Sequence, residues 1–345
     1  MTGNTNAVLF YCGDTKMSNK IILGIDVSKS SLSLALRLQN GKFYEKTVLN
    51  SSTGFKSILK FLNLKRIDKN NLECIMESTG SYSEAIANFL YENGINTKVV
   101  NPYKIASFAK SKLSRIKTDK TDAKLIAEYG LISNNDKFYK KPPEALGKIR
   151  ILYRTYLAQT KLSSISKNHL ENTNDVDEQV FWLETIKVFE INRKKIIQKI
   201  IEIINSDEIL SKQFKDLKTI PGVAEITAIA IFSEIQSVEK FDSARQLAAY
   251  CGVTPKIYES GTSVHKKSHI SKSGNKILRK ALYLPAITAI NHCKECKHYT
   301  EQLLKRGKCK KQAIIAIMKK ILLASYAILK NNSIFNPKLL FIFSS

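Results

Sequence analysis

The chain has 345 residues, 43% hydrophobic and 25% charged, with 55 Lys and Arg against 30 Asp and Glu for a formal net charge of +25. At roughly 150 residues per domain, this length holds two or three domains with sizeable cores and excludes a disordered chain, a collagen-like repeat and a disulfide mini-protein. The charge is lopsided: residues 251–345 carry 18 Lys and Arg against only Glu259, Glu295 and Glu301, a one-signed field that points to phosphate backbones.

Residues 1–17 show no periodicity, and Met17 is a candidate start because a strong strand follows it. Ile21 to Val27 is a short apolar, β-branched run. It is followed by alternating Leu32, Leu34, Leu36 and Leu38, and then by Phe43 to Leu49 across an Asn40-Gly41 turn. These predict three consecutive antiparallel strands. A helix from about Gly54 to Leu62, a strand Leu72 to Met76, a helix Tyr82 to Asn93 ended by Gly94, and a strand Thr97 to Val100 follow. Three strands and then alternating helix and strand make a mixed α/β sheet.

From Tyr103 to Tyr129 the pattern is helical and basic, and Lys141-Pro142-Pro143 marks a change of composition. Leu146, Ile149, Tyr153 and Tyr156, then Trp182, Ile186, Phe189, Arg193, Ile196, Ile200 and Ile203, keep 3/4 spacing on either side of the polar break Asn172 to Glu178. They predict two long helices forming a hairpin or a dimerising coiled coil. Near Leu217 a third region begins, where Ile220-Pro221-Gly222-Val223 opens an apolar helix through Ile235 and resembles a helix-hairpin-helix turn offering backbone amides to phosphate. The expected division is an extension at 1–17, an α/β domain at 18–142, a helical hairpin at 143–210 and a mostly helical basic domain at 211–345.

The six cysteines are scattered in a chain without a secretory signal, the pattern of reduced thiols in a cytoplasm. Ala313 to Leu329 is the most apolar stretch, but Lys319-Lys320 interrupts it, and it reads as a buried helix rather than a membrane span. His292, Cys293, Cys296, His298 and Cys309 invite a zinc reading, but a second paired knuckle is missing.

The acids carry more information. Asp26 and Glu77 each close an apolar strand, where α/β folds build sites, although either could merely cap a following helix. No acid occurs between Glu92 and Asp119, an interval holding Lys98, Lys104, Lys110, Lys112, Arg115 and Lys117. Asp119 and Asp122 then stand three apart on a helix, about 5–6 Å from each other, where like charges repel unless a cation lies between them. Carboxylate oxygens are hard ligands that suit Mg²⁺, and a pair of such ions can clamp the attacking and leaving oxygens of a phosphodiester.

Three separated motifs, Gly24-Ile25-Asp26-Val27-Ser28-Lys29, Met76-Glu77-Ser78-Thr79-Gly80-Ser81-Tyr82 and Lys117-Thr118-Asp119-Lys120-Thr121-Asp122-Ala123, resemble in order and spacing the DEDD transposases of the insertion-sequence 110 family. Gln246 to Pro255, Ser260-Gly261, Ile270 to Asn275 and Leu278-Arg279 resemble the family's second conserved region. The resemblance implies a RuvC-like, ribonuclease-H-fold domain in which Asp26, Glu77, Asp119 and Asp122 bind Mg²⁺ or Mn²⁺, as two ions. It also implies a helical coiled-coil insertion and a C-terminal domain whose serine becomes covalently joined to DNA. Ser260 matches that serine, with Ser263 as the rival. Lys29, Lys117, Gly222, Lys266, Lys267, Lys272 and Arg279 are the expected nucleic-acid contacts. Donor and target DNA, a structured bridge RNA and a homodimer or homotetramer are the implied partners, with the serine of one protomer completing the acidic site of another.

The alternatives are a junction resolvase that uses water instead of serine and a nucleic-acid-binding protein without catalysis. The first motif also resembles the phosphate loop of actin-like ATPases, but the chain has 14 glycines and no further glycine-rich loop.

Overall fold

The computed structural model describes residues 20–112, 119–256, 259–260, 264–265, 269–271 and 274–336, with the backbone alone for the described residues among 255–269. The chain divides between Lys141 and Pro142 into two compact units.

The first unit is built on five strands: β1 (Ile21–Val27), β2 (Ser31–Arg37), β3 (Phe43–Leu49), β4 (Leu72–Glu77) and β5 (Asn96–Val100), in the order β3-β2-β1-β4-β5. β1, β2 and β3 are an antiparallel meander, whereas β4 and β5 run parallel to β1. The tight connections give the antiparallel half. The parallel half needs crossovers, which α1 (Ser52–Leu64) and α2 (Ser81–Glu92) supply.

Strand side chains alternate between faces. Leu23, Ile25, Cys74 and Met76 enter one core with Phe55 and Ile58 of α1 and Ile86 and Leu90 of α2. Ile22 and Ile75 point the other way, against Ile105 of α3 (Pro102–Ser111) and Ile126 and Ala127 of α4 (Asp119–Gly130). The same alternation puts Gly24, Asp26 and Glu77 on the α4 face.

The second unit is helical apart from short ladders. α5 (Glu144–Asn172) and α6 (Val176–Asn205) are the two long helices, joined by three residues. They pair as an antiparallel hairpin within the chain. The hairpin's base is not a separate layer: Leu146, Ile149, Tyr153, Ile200 and Ile204 share one core with the elements after residue 210. Those elements are α7 (Glu208–Leu217), α8 (Glu225–Ile235), α9 (Ala244–Cys251), the strand pairs described below, α10 (Lys276–Ala281), α11 (Tyr283–His292), α12 (Lys294–Lys305) and α13 (Lys310–Asn331).

Every residue of α8 from Thr227 to Ile235 is buried. α13, at mean hydropathy 1.6 over its best window, is long and apolar enough to cross a membrane by length and composition. Its Ile317, Met318, Ile321 and Leu322 are instead the centre of this unit's core. Lys320, which interrupts the stretch, is itself buried and lies over the Tyr299 ring.

Between α9 and α10, β6 (Pro255–Lys256) pairs antiparallel with β9 (His269–Ile270), and β7 (Glu259–Ser260) with β8 (Val264–His265). In sequence β7 and β8 are nested between β6 and β9, a ribbon-like order, with Ser260 opposite Val264.

Candidate active site

The acidic site is assembled from three elements. β1 and β4 are parallel neighbours with Ile25 opposite Met76, so the next residue of each, Asp26 and Glu77, lies at the same carboxyl-terminal edge of the sheet. α4 brings Asp119 and Asp122 in its first turn. The approach of α4 depends on Gly24. A Cβ there would stand 2.2 Å from the Ala123 carbonyl oxygen and 2.5 Å from the Ala127 nitrogen, distances no side chain tolerates. The missing side chain on β1 lets the helix backbone lie directly on the strand that carries Asp26.

Electrostatics show the four acids converging. Burial pushes the Asp26 carboxyl up to about 6, and the neighbouring charges of Asp119, Asp122 and Glu77 push in the same direction, opposed by a hydrogen bond from the Val27 amide. Among the described residues, the charged groups that shift Asp26 are these three acids. Four hard oxygen donors around one edge are the donor set of a divalent cation of the Mg²⁺ kind. Among the described residues, no group of three or more His, Cys, Asp or Glu side chains is placed to hold a metal ion.

Neither strand-end acid caps a helix. Asp26 runs into a turn closed by Ser28 N–H donating to the Ser31 carbonyl at 3.0 Å, and α2 begins at Gly80 with no side-chain cap. Asn50 ties the two loops that follow the acids, its amide donating to the Ser28 carbonyl at 2.8 Å and to the Tyr82 carbonyl at 3.2 Å. Lys29 is exposed in the first of these loops.

In the second unit, the backbone places Ser260 in β7 of the ribbon, with Ser263 between β7 and β8 but outside the described residues. Lys117, Lys266, Lys267 and Lys272 also lie outside the described residues. Arg279 donates from Nη1 to the Cys251 carbonyl at 2.8 Å, a cation at the carboxyl end of α9, where the helix dipole favours it. Gly222 has φ +80, and a Cβ on it would meet the Pro285 carbonyl oxygen at 2.1 Å, so the turn before α8 is glycine because α11 lies against it. Cys293 donates to Glu295, and His298 is bonded to Gln302. Cys296 is buried, its thiol pushed up to about 12, by burial first and by its hydrogen bond with Cys293 second. The zinc reading finds no gathered ligands among the described residues.

Three residues escaped the sequence reading. Gly24 stood inside a quoted motif, but its role appears only once α4 is docked. Asn50 bridges segments 22 and 32 residues away, which no local pattern reveals. Glu234 was findable: it is a lone acid inside the apolar helix Ile229 to Ile235.

Residues 23–174 match a transposase model of the DEDD IS110 type, and residues 215–301 match the model of the transposase IS116/IS110/IS902 family. The pilin gene-inverting protein of Moraxella bovis is 30% identical over 322 residues, which span 93% of this chain and 99% of that protein. The transposase for insertion sequence element IS1111A of Coxiella burnetii is 23% identical over 79% of each chain. Among solved structures, Thermus thermophilus RuvC aligns at 14% identity and a TM-score of 0.26, over 34% of this chain and 99% of that one, a score too low to bear on the fold.

Proposed function

Since this chain belongs to the IS110 family of transposases, enzymes that cleave and rejoin DNA, we propose that Asp26, Glu77, Asp119 and Asp122 hold two divalent ions at a phosphodiester and that Ser260 is the nucleophile. Family membership implies dependence on a divalent metal, and the all-carboxylate donor set favours Mg²⁺ or Mn²⁺. The observation that carries the reading is the raised Asp26 carboxyl, with Asp119, Asp122 and Glu77 among its causes: three sequence motifs up to 96 positions apart meet in one electrostatic site. A RuvC-like, ribonuclease-H fold for the first unit is part of the proposal, supported by the mixed five-stranded sheet with its acids at one edge.

Bound there, divalent ions supply charge to the phosphate oxygens and lower the pKa of a nearby hydroxyl. The Ser260 hydroxyl gives up its proton, its oxygen forms a bond to phosphorus, and the phosphorus–oxygen bond to one sugar breaks, that sugar oxygen taking a proton. Attack by the hydroxyl of a new strand reverses the step, frees the serine and rejoins DNA without a further energy source. Lys29 on the acidic edge, Arg279, and Lys117, Lys266, Lys267 and Lys272 contact phosphates. The Gly222 turn offers backbone amides to phosphate at the start of α8. A structured RNA selects donor and target DNA, and the enzyme works as a dimer or tetramer. Exposed Val180, Phe181, Leu183 and Val188 on α6 support assembly between copies.

Asp119→Asn tests the metal site: strand exchange with Mg²⁺ falls to background, and unchanged exchange refutes it. Trapping a protein–DNA adduct tests the serine. The adduct is lost in Ser260→Ala and kept in Ser263→Ala; the reverse pattern moves the nucleophile to Ser263, and no adduct with cleavage intact points to water.

A further inference from the structure

We infer that Glu234 is a positioning residue for the ribbon that carries Ser260, acting through Asn275. The inference rests on the reading of Ser260 as nucleophile. The ribbon leaves the helical core after Thr254 and returns at Ser271, whose N–H donates to the Thr254 carbonyl at 3.0 Å. The segment carrying Ser260 is thus anchored at these two stems.

Both stems are held by one buried polar junction. Asn275 donates its backbone N–H to the Tyr250 carbonyl at 2.7 Å, docking the return stem on α9. Its side-chain amide donates to Glu234 Oε2 at 2.6 Å and to the Tyr250 hydroxyl at 3.1 Å. Its side-chain oxygen accepts the Leu278 N–H at 2.9 Å and so starts α10. Glu234 sits on α8 with its side chain fully shielded from solvent, and Arg154 from α5 reaches both its oxygens, Nε to Oε1 at 3.3 Å and Nη2 to Oε2 at 3.4 Å. One carboxylate thus joins the hairpin helix α5, the rigid buried helix α8 and the return stem of the ribbon.

A buried ion pair is a poor device for stability alone, since apolar groups of the same volume do as well or better. It does impose a single arrangement, because each member has one set of partners in a low-dielectric surrounding. That is what a nucleophile on a two-stranded ribbon needs, as misplacement by about 1 Å lowers a rate by about 10²-fold.

The experiment is a swap. The substrate is a nicked duplex carrying the DNA that flanks the gene, supplied with Mg²⁺ and RNA transcribed from that flank. Asn275→Asp places a second carboxylate against Glu234, and Asn275→Ser keeps the α10 cap while removing the donor. Either is expected to slow Ser260–DNA adduct formation by about 10²-fold while leaving affinity for the duplex unchanged. In Glu234→Gln/Asn275→Asp the donor and acceptor are exchanged and the adduct rate recovers most of the loss, a rescue that simple destabilisation would not produce. Wild-type adduct rates in both single variants, or a folded double variant that is no faster than Asn275→Asp, overturn the inference while Ser260→Ala still abolishes the adduct. An adduct that persists in Ser260→Ala overturns the serine reading itself, and this inference with it.

Discussion

Asp26 shows how one residue reports the state of the whole acidic site. Its carboxyl is pushed from 3.8 to about 6, chiefly by burial and then by Asp119, Asp122 and Glu77. Between those values the folded protein retains a proton that the unfolded chain has released, so stability from this group falls as pH rises. The thermal midpoint of metal-free protein is accordingly expected to decrease between about pH 4 and pH 6 through this group, and Asp26→Asn to remove that part of the slope. In EDTA at pH 7.5 the variant melts above the parent, and near pH 4 the two converge. Mg²⁺ raises the midpoint of the parent more than that of the variant. A variant less stable than the parent at pH 7.5 would show that Asp26 already has a compensating cation. The two effects are separable in one variant, since Asp26→Asn is expected to stabilise the metal-free fold while losing strand exchange.

At the scale of elements, the contact of α4 with β1 decides whether the acids meet. Gly24→Ala puts a methyl group into the Ala123 and Ala127 backbone. The expected result is a loss of about 1–3 kcal/mol, read by far-UV circular dichroism in urea, together with strongly reduced cleavage. Parental stability in this variant would mean that the helix can move off the strand at no cost. The α5–α6 hairpin tests the opposite case. Trp182 stacks on His169 with ring centroids 4.7 Å apart and donates to Glu178 Oε1 at 3.0 Å, close to the connection between the helices. Trp182→Ala is expected to lower stability by about 0.5–1.5 kcal/mol and to leave the core around α8 and α13 intact, as measured by the midpoint of its thermal transition. A larger loss would show that hairpin tip and base unfold together.

For the whole molecule, the excess of 55 basic over 30 acidic residues has a measurable consequence. If six or more phosphates are neutralised, affinity for duplex DNA falls by about 10³-fold or more between 50 and 200 mM salt, a dependence that fluorescence anisotropy reads directly. A flat dependence would assign the charge to solubility. Glu73 is paired with Lys20 and Lys98, and Glu234 with Arg154, whereas among the described residues the charged groups that shift Asp26 are Asp119, Asp122 and Glu77.

The sequence by itself determined the strands of the sheet, the two long helices and the identity of the acids. Alternation with period two and spacing with period 3.6 are local consequences of backbone geometry, and an acid at the end of an apolar strand stands out without any tertiary knowledge. The residues from Ile21 to Val100 were therefore legible almost element by element, and so was the apolar stripe from Trp182 to Ile203. The tertiary structure decided which of these parts touch. Gly24 is one glycine among 14 until the Ala123 carbonyl lies where its Cβ would be. Gly222 reads in the sequence as a turn, and only the fold puts the Pro285 carbonyl where its Cβ would be. The base of the hairpin was drawn as a separate segment until Ile200 and Ile204 entered the same core as Leu217 and Ile321. Close approach, shared burial and the meeting of like charges depend on residues far apart in the chain, and a periodic pattern carries no record of its distant partner.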